Sequence, residues 1–192
     1  IGLLANGNIA FAGHLTVTRI NYENAIIRGL DGDDTFNHVA SAVAVSYEGG
    51  DPSASDVLNY TAAANAATTL DLAAATIAQS GPAAGTVGYT GIERVNLTSS
   101  GAASTLTVDG TPNNDAFNVS PTGADVGSFV REGLGGSPQF TYTGVGGAFT
   151  VTGGSGGFDT LNILGDGAND IVTSTASTVT IKGGTVTLGA GL

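Results

Sequence analysis

Gly29-Leu30-Asp31-Gly32-Asp33-Asp34-Thr35-Phe36-Asn37 ends in a four-residue signature: a carboxylate, any residue, a bulky apolar residue, then Asn or Thr. The signature recurs as Asp56-Val57-Leu58-Asn59, Asp115-Ala116-Phe117-Asn118, Asp159-Thr160-Leu161-Asn162 and Asp170-Ile171-Val172-Thr173, and a Gly-rich turn precedes nearly every copy. A turn–strand unit repeated along a chain specifies stacked units rather than one globular core. The expected fold class is therefore all-β, a parallel β-helix or β-solenoid with short strands and Gly/Asp/Asn-rich turns. Antiparallel β-sandwich modules are the alternative.

The spacing supports the stack. Asp34 to Asp56 is 22 residues, Asp115 to Asp159 is 44 and Asp159 to Asp170 is 11, all multiples of 11. Val95, Leu106 and Phe117 fall on the same step, whereas Asp56 to Asp115, at 59, breaks it and implies an insertion. Two eleven-residue units make a coil of roughly 22 residues, with neighbouring strands ~4.8 Å apart. Phe36, Leu58, Val95, Leu106, Phe117, Leu161 and Val172 then point inward, and Asn37, Asn59, Asn118 and Asn162 face outward or enter a ladder.

Extended backward, most copies share a nine-residue frame opening on Gly29, Gly110, Gly154 or Gly165, and the Asp56 copy has one extra residue after Gly50. This frame resembles the RTX (hemolysin-type) calcium-binding nonapeptide, Gly-Gly-x-Gly-x-Asp-x-apolar-x. Gly29–Asn37 departs from it only at Leu30. The resemblance covers about a quarter of the chain and implies a parallel β-roll with calcium between turns. In that family the nonapeptides run head to tail, whereas here they are scattered.

Three clusters of hard oxygen donors are the candidate calcium ligands: Asp31, Asp33 and Asp34; Asp109, Asn113, Asn114 and Asp115; Asp159, Asp166, Asn169 and Asp170. Calcium takes six to eight oxygens at ~2.4 Å, so each cluster needs carbonyls or an adjacent coil to complete it. Against this stands the ordinary use of Asp and Asn as turn formers that bond their own backbone.

Composition narrows the function. Charged residues are 11% of 192, against roughly 25% in an average soluble protein, and 31 residues are Gly. With 16 acidic residues and 5 Lys or Arg, the net charge is −11, which excludes ordinary nucleic-acid binding and favours a cationic partner, calcium first. No Cys is present, so no disulfide or thiolate chemistry is available, and no apolar stretch reaches the length of a membrane span. The absence of Met predicts a removed leader or a fragment of a longer chain.

Along the chain, a long echo predicts two diverged modules, 1–85 and 86–192, the second with a loop-rich insertion near 120–140. Apolar strands are expected at Ile9–Phe11 and Leu15–Ile20, and the Ala-rich stretch 61–80 is the one plausible helix. Gly153-Gly154-Ser155-Gly156-Gly157 fits a nucleophile-elbow pattern by chance, since no His follows Ser155. His14 and His38 lack metal-ligand spacing, and His38 reads as a strand-end residue.

The expected function is that of a non-enzymatic extracellular or cell-surface structural module: calcium-stabilised, part of a surface layer, fibre or adhesin. It would stack on itself or on neighbouring modules of a longer chain, with a glycan as a further contact and no nucleic-acid partner. The alternatives are a polysaccharide-acting β-helix enzyme, with paired carboxylates such as Asp33 and Asp34 and groove aromatics such as Tyr47, Tyr60 or Tyr142, and a calcium-dependent secretion or folding module.

Overall fold

A computed structural model describes residues 2–3, 8–10, 22–50, 55–132, 138–166, 169–175, 178–181 and 183–189. His14 and the strand expected at Leu15–Ile20 lie outside them, as does Phe11. The described residues hold strands and turns and no helix. The strands are β1 (Gly2–Leu3), β2 (Ile9–Ala10), β3 (Asn24–Arg28), β4 (Thr35–Val39), β5 (Ala44–Glu48), β6 (Val57–Thr61), β7 (Ala67–Asp71), β8 (Thr76–Gln79), β9 (Val87–Thr90) and β10 (Arg94–Thr98). They continue as β11 (Thr105–Asp109), β12 (Ala116–Pro121), β13 (Gly127–Glu132), β14 (Gln139–Thr143), β15 (Phe149–Thr152), β16 (Thr160–Ile163), β17 (Val172–Ser174), β18 (Thr178–Ile181) and β19 (Gly184–Leu188).

The strands form two open sheets. Sheet A runs β16-β12-β13-β14-β10-β6-β4-β1-β2 and sheet B runs β17-β18-β19-β15-β11-β7-β8-β9-β5-β3. Eleven residues carry the chain from one sheet to the other: Phe36 lies on β4 in sheet A, Tyr47 on β5 in sheet B and Leu58 on β6 in sheet A. The first two meet inside, with ring centroids 5.2 Å apart.

Both sheets are mixed, because the chain leaps ahead and folds back. After β6 it crosses to sheet B some distance beyond β5, then β8 and β9 return by antiparallel pairing until β9 lies parallel to β5. β10 next joins β6, and β11 joins β7. The manoeuvre repeats in sheet A with β12-β13-β14 and again in sheet B with β17-β18-β19. The Asp56-to-Asp115 insertion is one such meander. Both sheets continue across residue 85.

Alternation builds the core. Most five-residue strands bury their second and fourth residues and leave the others more exposed, as in β4 with Phe36 and His38, whereas β19 buries its first and third. Phe36, Leu58, Val95, Leu106 and Phe117 are all buried, each worth ~1.5–3 kcal/mol on transfer from water. Leu161 is half-buried and Val172 is exposed. The Ala-rich residues expected as a helix form β7 and β8 instead, because Thr68, Leu70, Ile77 and Gln79 bury at a period of two. A one-turn reversal with Ala75 at φ 51° joins them. The expected loop at 120–140 holds β13, which brings Phe129 to stack on Phe140 at 4.7 Å. No helix among the described residues is long and apolar enough to cross a membrane.

Candidate functional site

The acidic bends stand where sheet A's parallel strands begin, and register brings them together. Asp34, Asp56 and Glu93 each precede a strand, and those strands pair as β4, β6 and β10. The Asp34 N–H donates to Asp56 Oδ1 at 2.6 Å and the Asp56 N–H donates to Glu93 Oε2 at 2.8 Å. Across the later pair β12–β16, the Asp115 N–H donates to Asp159 Oδ1 at 2.7 Å. Each carboxylate thus accepts the backbone N–H of the preceding rung, a charge-assisted bond that is shorter and stronger than a neutral one.

Glycines make room for this. A Cβ on Gly29 would stand 2.3 Å from Asp34 Oδ2, and one on Gly49 would stand 2.3 Å from Asp56 Oδ2 and 1.8 Å from the Gly91 carbonyl oxygen. The next position carries the positive φ: 118° at Gly50, 90° at Gly154 and 76° at Leu30. Leu30, the residue that breaks the resemblance, holds the positive-φ backbone that Gly50 and Gly154 hold in their own bends.

The candidate ligands regroup. Asp31 and Asp33 are exposed in the turn, while Asp34 keeps Oδ2 buried without a hydrogen-bond partner. Asp109 belongs to the outer face of sheet B beside Asp71, and accepts the Thr152 hydroxyl at 3.0 Å. Asn113 donates its backbone N–H to Thr111 Oγ1, and Asn114 Oδ1 accepts the Phe158 N–H. Asp115 is buried against Arg131, with bonds from the Thr111 N–H at 2.5 Å and the Thr111 hydroxyl at 3.0 Å. Asp159 joins Asp115 rather than its sequence neighbours Asp166 and Asn169, which are exposed, and Asp170, which is half-buried. Among the described residues, no group of three or more His, Cys, Asp or Glu side chains converges as a metal-binding set.

The asparagines expected to face outward form a ladder on sheet A's outer surface. Asn59 Nδ2 donates to Asn37 Oδ1 at 2.9 Å, Asn96 Nδ2 to Asn59 Oδ1 at 2.8 Å, and Thr141 Oγ1 to Asn96 Oδ1 at 2.7 Å. Asn162 repeats the bond to Asn118.

Glu93-Arg94-Val95-Asn96 fits the carboxylate–x–apolar–Asn signature with Glu in place of Asp, and its Val95 falls on the eleven-residue step. Two features escaped the sequence reading. Arg131 carries no local signal, since only the β13 return sets it over Asp115. His38 is no strand-end residue: it is buried within β4, stacked on Tyr60 at 5.2 Å, with Nδ1 3.1 Å from the Tyr47 hydroxyl. Burial lowers its pKa to about 4 and raises that of Tyr60 to about 12. Tyr47, Tyr60 and Tyr142, offered above as groove aromatics, all lie in the core. Ser155 sits in an exposed turn before β16 rather than between a strand and a helix. No family model, curated protein or solved structure matches this chain.

Proposed function

We propose that the chain is a non-enzymatic structural module of an extracellular surface layer, fibre or adhesin. In this reading its strand layers stack as a β-solenoid, and calcium steadies the acidic bends. The observation that carries it is the run from Asp34 through Asp56 to Glu93, in which each carboxylate holds the backbone of the rung before. Bonds of this kind join stacked neighbours and nothing else, so the motif's chemistry is spent on keeping layers in step.

Calcium is supported by what the bends leave uncompensated. Asp34 and Asp159 each bury Oδ2 with no hydrogen-bond partner, a placement that costs free energy unless a cation or proton answers it. At Asp115 the Arg131 guanidinium supplies that charge from within. A chain of net charge −11 adds long-range attraction for a divalent cation.

Circular dichroism, small-angle scattering and size-exclusion chromatography, each with calcium and with chelator, test the reading. An elongated particle whose melting temperature falls in chelator is expected. Identical melting in both removes the calcium part. A compact scattering envelope removes the solenoid, and turnover of a polysaccharide removes the non-enzymatic role.

A further inference from the structure

The two sheets end out of step, and in opposite senses at the two ends. Among the described residues, beyond the consecutive strands β3 and β4 sheet A runs on through β1 and β2 while sheet B stops at β3. Beyond β15 and β16, sheet B runs on through β19, β18 and β17, and the described part of sheet A stops at β16. One end is stepped on sheet A and the other on sheet B.

The rear step is uncovered on its core side. Val172 on β17 pairs directly with Ile181 on β18, so both side chains point to the same face. Ile181 is 2% exposed, yet Val172 is 59% exposed, because among the described residues no strand of sheet A lies beyond β16 to cover it. Ile171 beside it is 85% exposed, and Phe158, just before β16, is 91% exposed.

Exposed large apolar residues also gather at the ends. Among the described residues, Tyr22, Ile26, Leu30 and Val39 lie around the front strands β3 and β4, and Phe158, Leu164, Ile171 and Val172 lie at the rear. The described residues between 40 and 157 contribute none. Unpaired strand edges beside apolar side chains invite pairing with another chain. The molecule covers its own internal steps in this way: the meander β7-β8-β9 runs ahead in sheet B, and the later strands β10 and β12–β14 extend sheet A past β6.

We infer that a second copy of this chain occupies the rear step, front end first. Its β2 edge continues sheet A from β16, and its β3 edge, with Tyr22 and Ile26, closes over β17. This rests on the stacking reading above and names its partner. The two faces differ, so the contact is head-to-tail and does not close: it generates open chains of molecules rather than a symmetric dimer.

Two end-blocked variants test it. Ile171→Lys with Val172→Lys blocks the rear, and Tyr22→Lys with Ile26→Lys blocks the front. All four sites are exposed, so the β-sheet dichroism of each variant should match the parent. In sedimentation velocity across a wide concentration range, the parent mass is expected to rise past that of a dimer. Each variant alone should stay monomeric, and an equimolar mixture should stop at the dimer, because one good front still meets one good rear. A parent that stays monomeric at every concentration overturns the proposal, as does a variant that associates by itself or a mixture that yields no dimer. An elongated monomer would sink this joint while leaving the solenoid reading standing.

Discussion

Arg131 and Asp115 form a buried ion pair between β13 and the bend before β12: the guanidinium Nε donates to Asp115 Oδ1, and Nη2 donates to Thr111 Oγ1 at 3.0 Å. The pair exists because the β12-β13-β14 meander pairs antiparallel and sets Arg131 opposite Phe117. Both side chains are nearly inaccessible, so solvent screens the pair little, and removing one partner strands the other.

Arg131→Met should therefore lower the unfolding free energy by about 3–5 kcal/mol, read as a drop in urea midpoint at unchanged slope. Adding Asp115→Asn to that variant should restore more than half of the loss. The amide oxygen still accepts the Thr111 N–H, and no buried charge is left. Equal midpoints for the single and double variants would show that packing, not charge, dominates there.

His38 makes stability depend on pH in a known direction. Its folded pKa is about 4 because burial disfavours the charged ring, against an ordinary value of 6.5. As pH falls through 6.5 the unfolded chain takes up a proton that the folded chain refuses until near 4. The contribution is thus fully present above about 6.5 and is lost across that window, on the order of 3 kcal/mol in all. Urea midpoints from about pH 7.5 down to about pH 5 should fall, and His38→Phe, which keeps the stacking on Tyr60, should flatten the curve.

How much of this was legible beforehand follows from which forces are local. The eleven-residue step, the inward Phe36, Leu58, Val95, Leu106 and Phe117, and the outward Asn37, Asn59, Asn118 and Asn162 are set by the two-residue period of a strand, which any reader of the sequence can count. The meanders are not, because Thr178-Val-Thr-Ile181 alternates in the same way whether its neighbour is parallel or antiparallel. Val172 shows the limit from the other side. Its face was predictable, but its exposure depends on where the opposite sheet stops. The Asp115–Asp159 grouping likewise follows from pairing 44 residues apart, not from spacing within either cluster.

The asparagine ladder gives a graded prediction. Asn59 both donates to Asn37 and accepts from Asn96, so Asn59→Ala removes two side-chain bonds and should cost about 1–2 kcal/mol. Asn162→Ala removes one, to Asn118 at an exposed site, and should cost less than about 1 kcal/mol. Thermal melts of the two variants would rank them, and the reverse order would show that the ladder is decoration on a sheet held by its backbone.

Leu30 should respond to restoring the missing glycine. A non-glycine residue at φ 76° is strained, and its side chain is largely exposed, so little burial is lost on removing it. Relief of about 1–2 kcal/mol for a left-handed residue, less the added freedom of the unfolded chain, leaves Leu30→Gly about 0.5–1 kcal/mol more stable by urea titration.

Gly32 and Gly49 separate two reasons for a glycine. Gly32 has φ 113° and open space around it, so Gly32→Ala meets conformational strain alone and should cost about 1–2 kcal/mol. At Gly49 the obstacle is contact: the added methyl would sit 1.8 Å from the Gly91 carbonyl oxygen and 2.3 Å from Asp56 Oδ2. Neither neighbour can yield without breaking the rung, since Asp56 accepts the Asp34 N–H and donates its own to Glu93. Gly49→Ala should therefore cost more than about 3 kcal/mol, the range of severe overpacking. It should also speed amide exchange at Asp34 and Asp56 while leaving Asp115 protected. If both alanine variants unfolded at the same denaturant concentration, the tight stacking of successive bends would not be what holds sheet A in register.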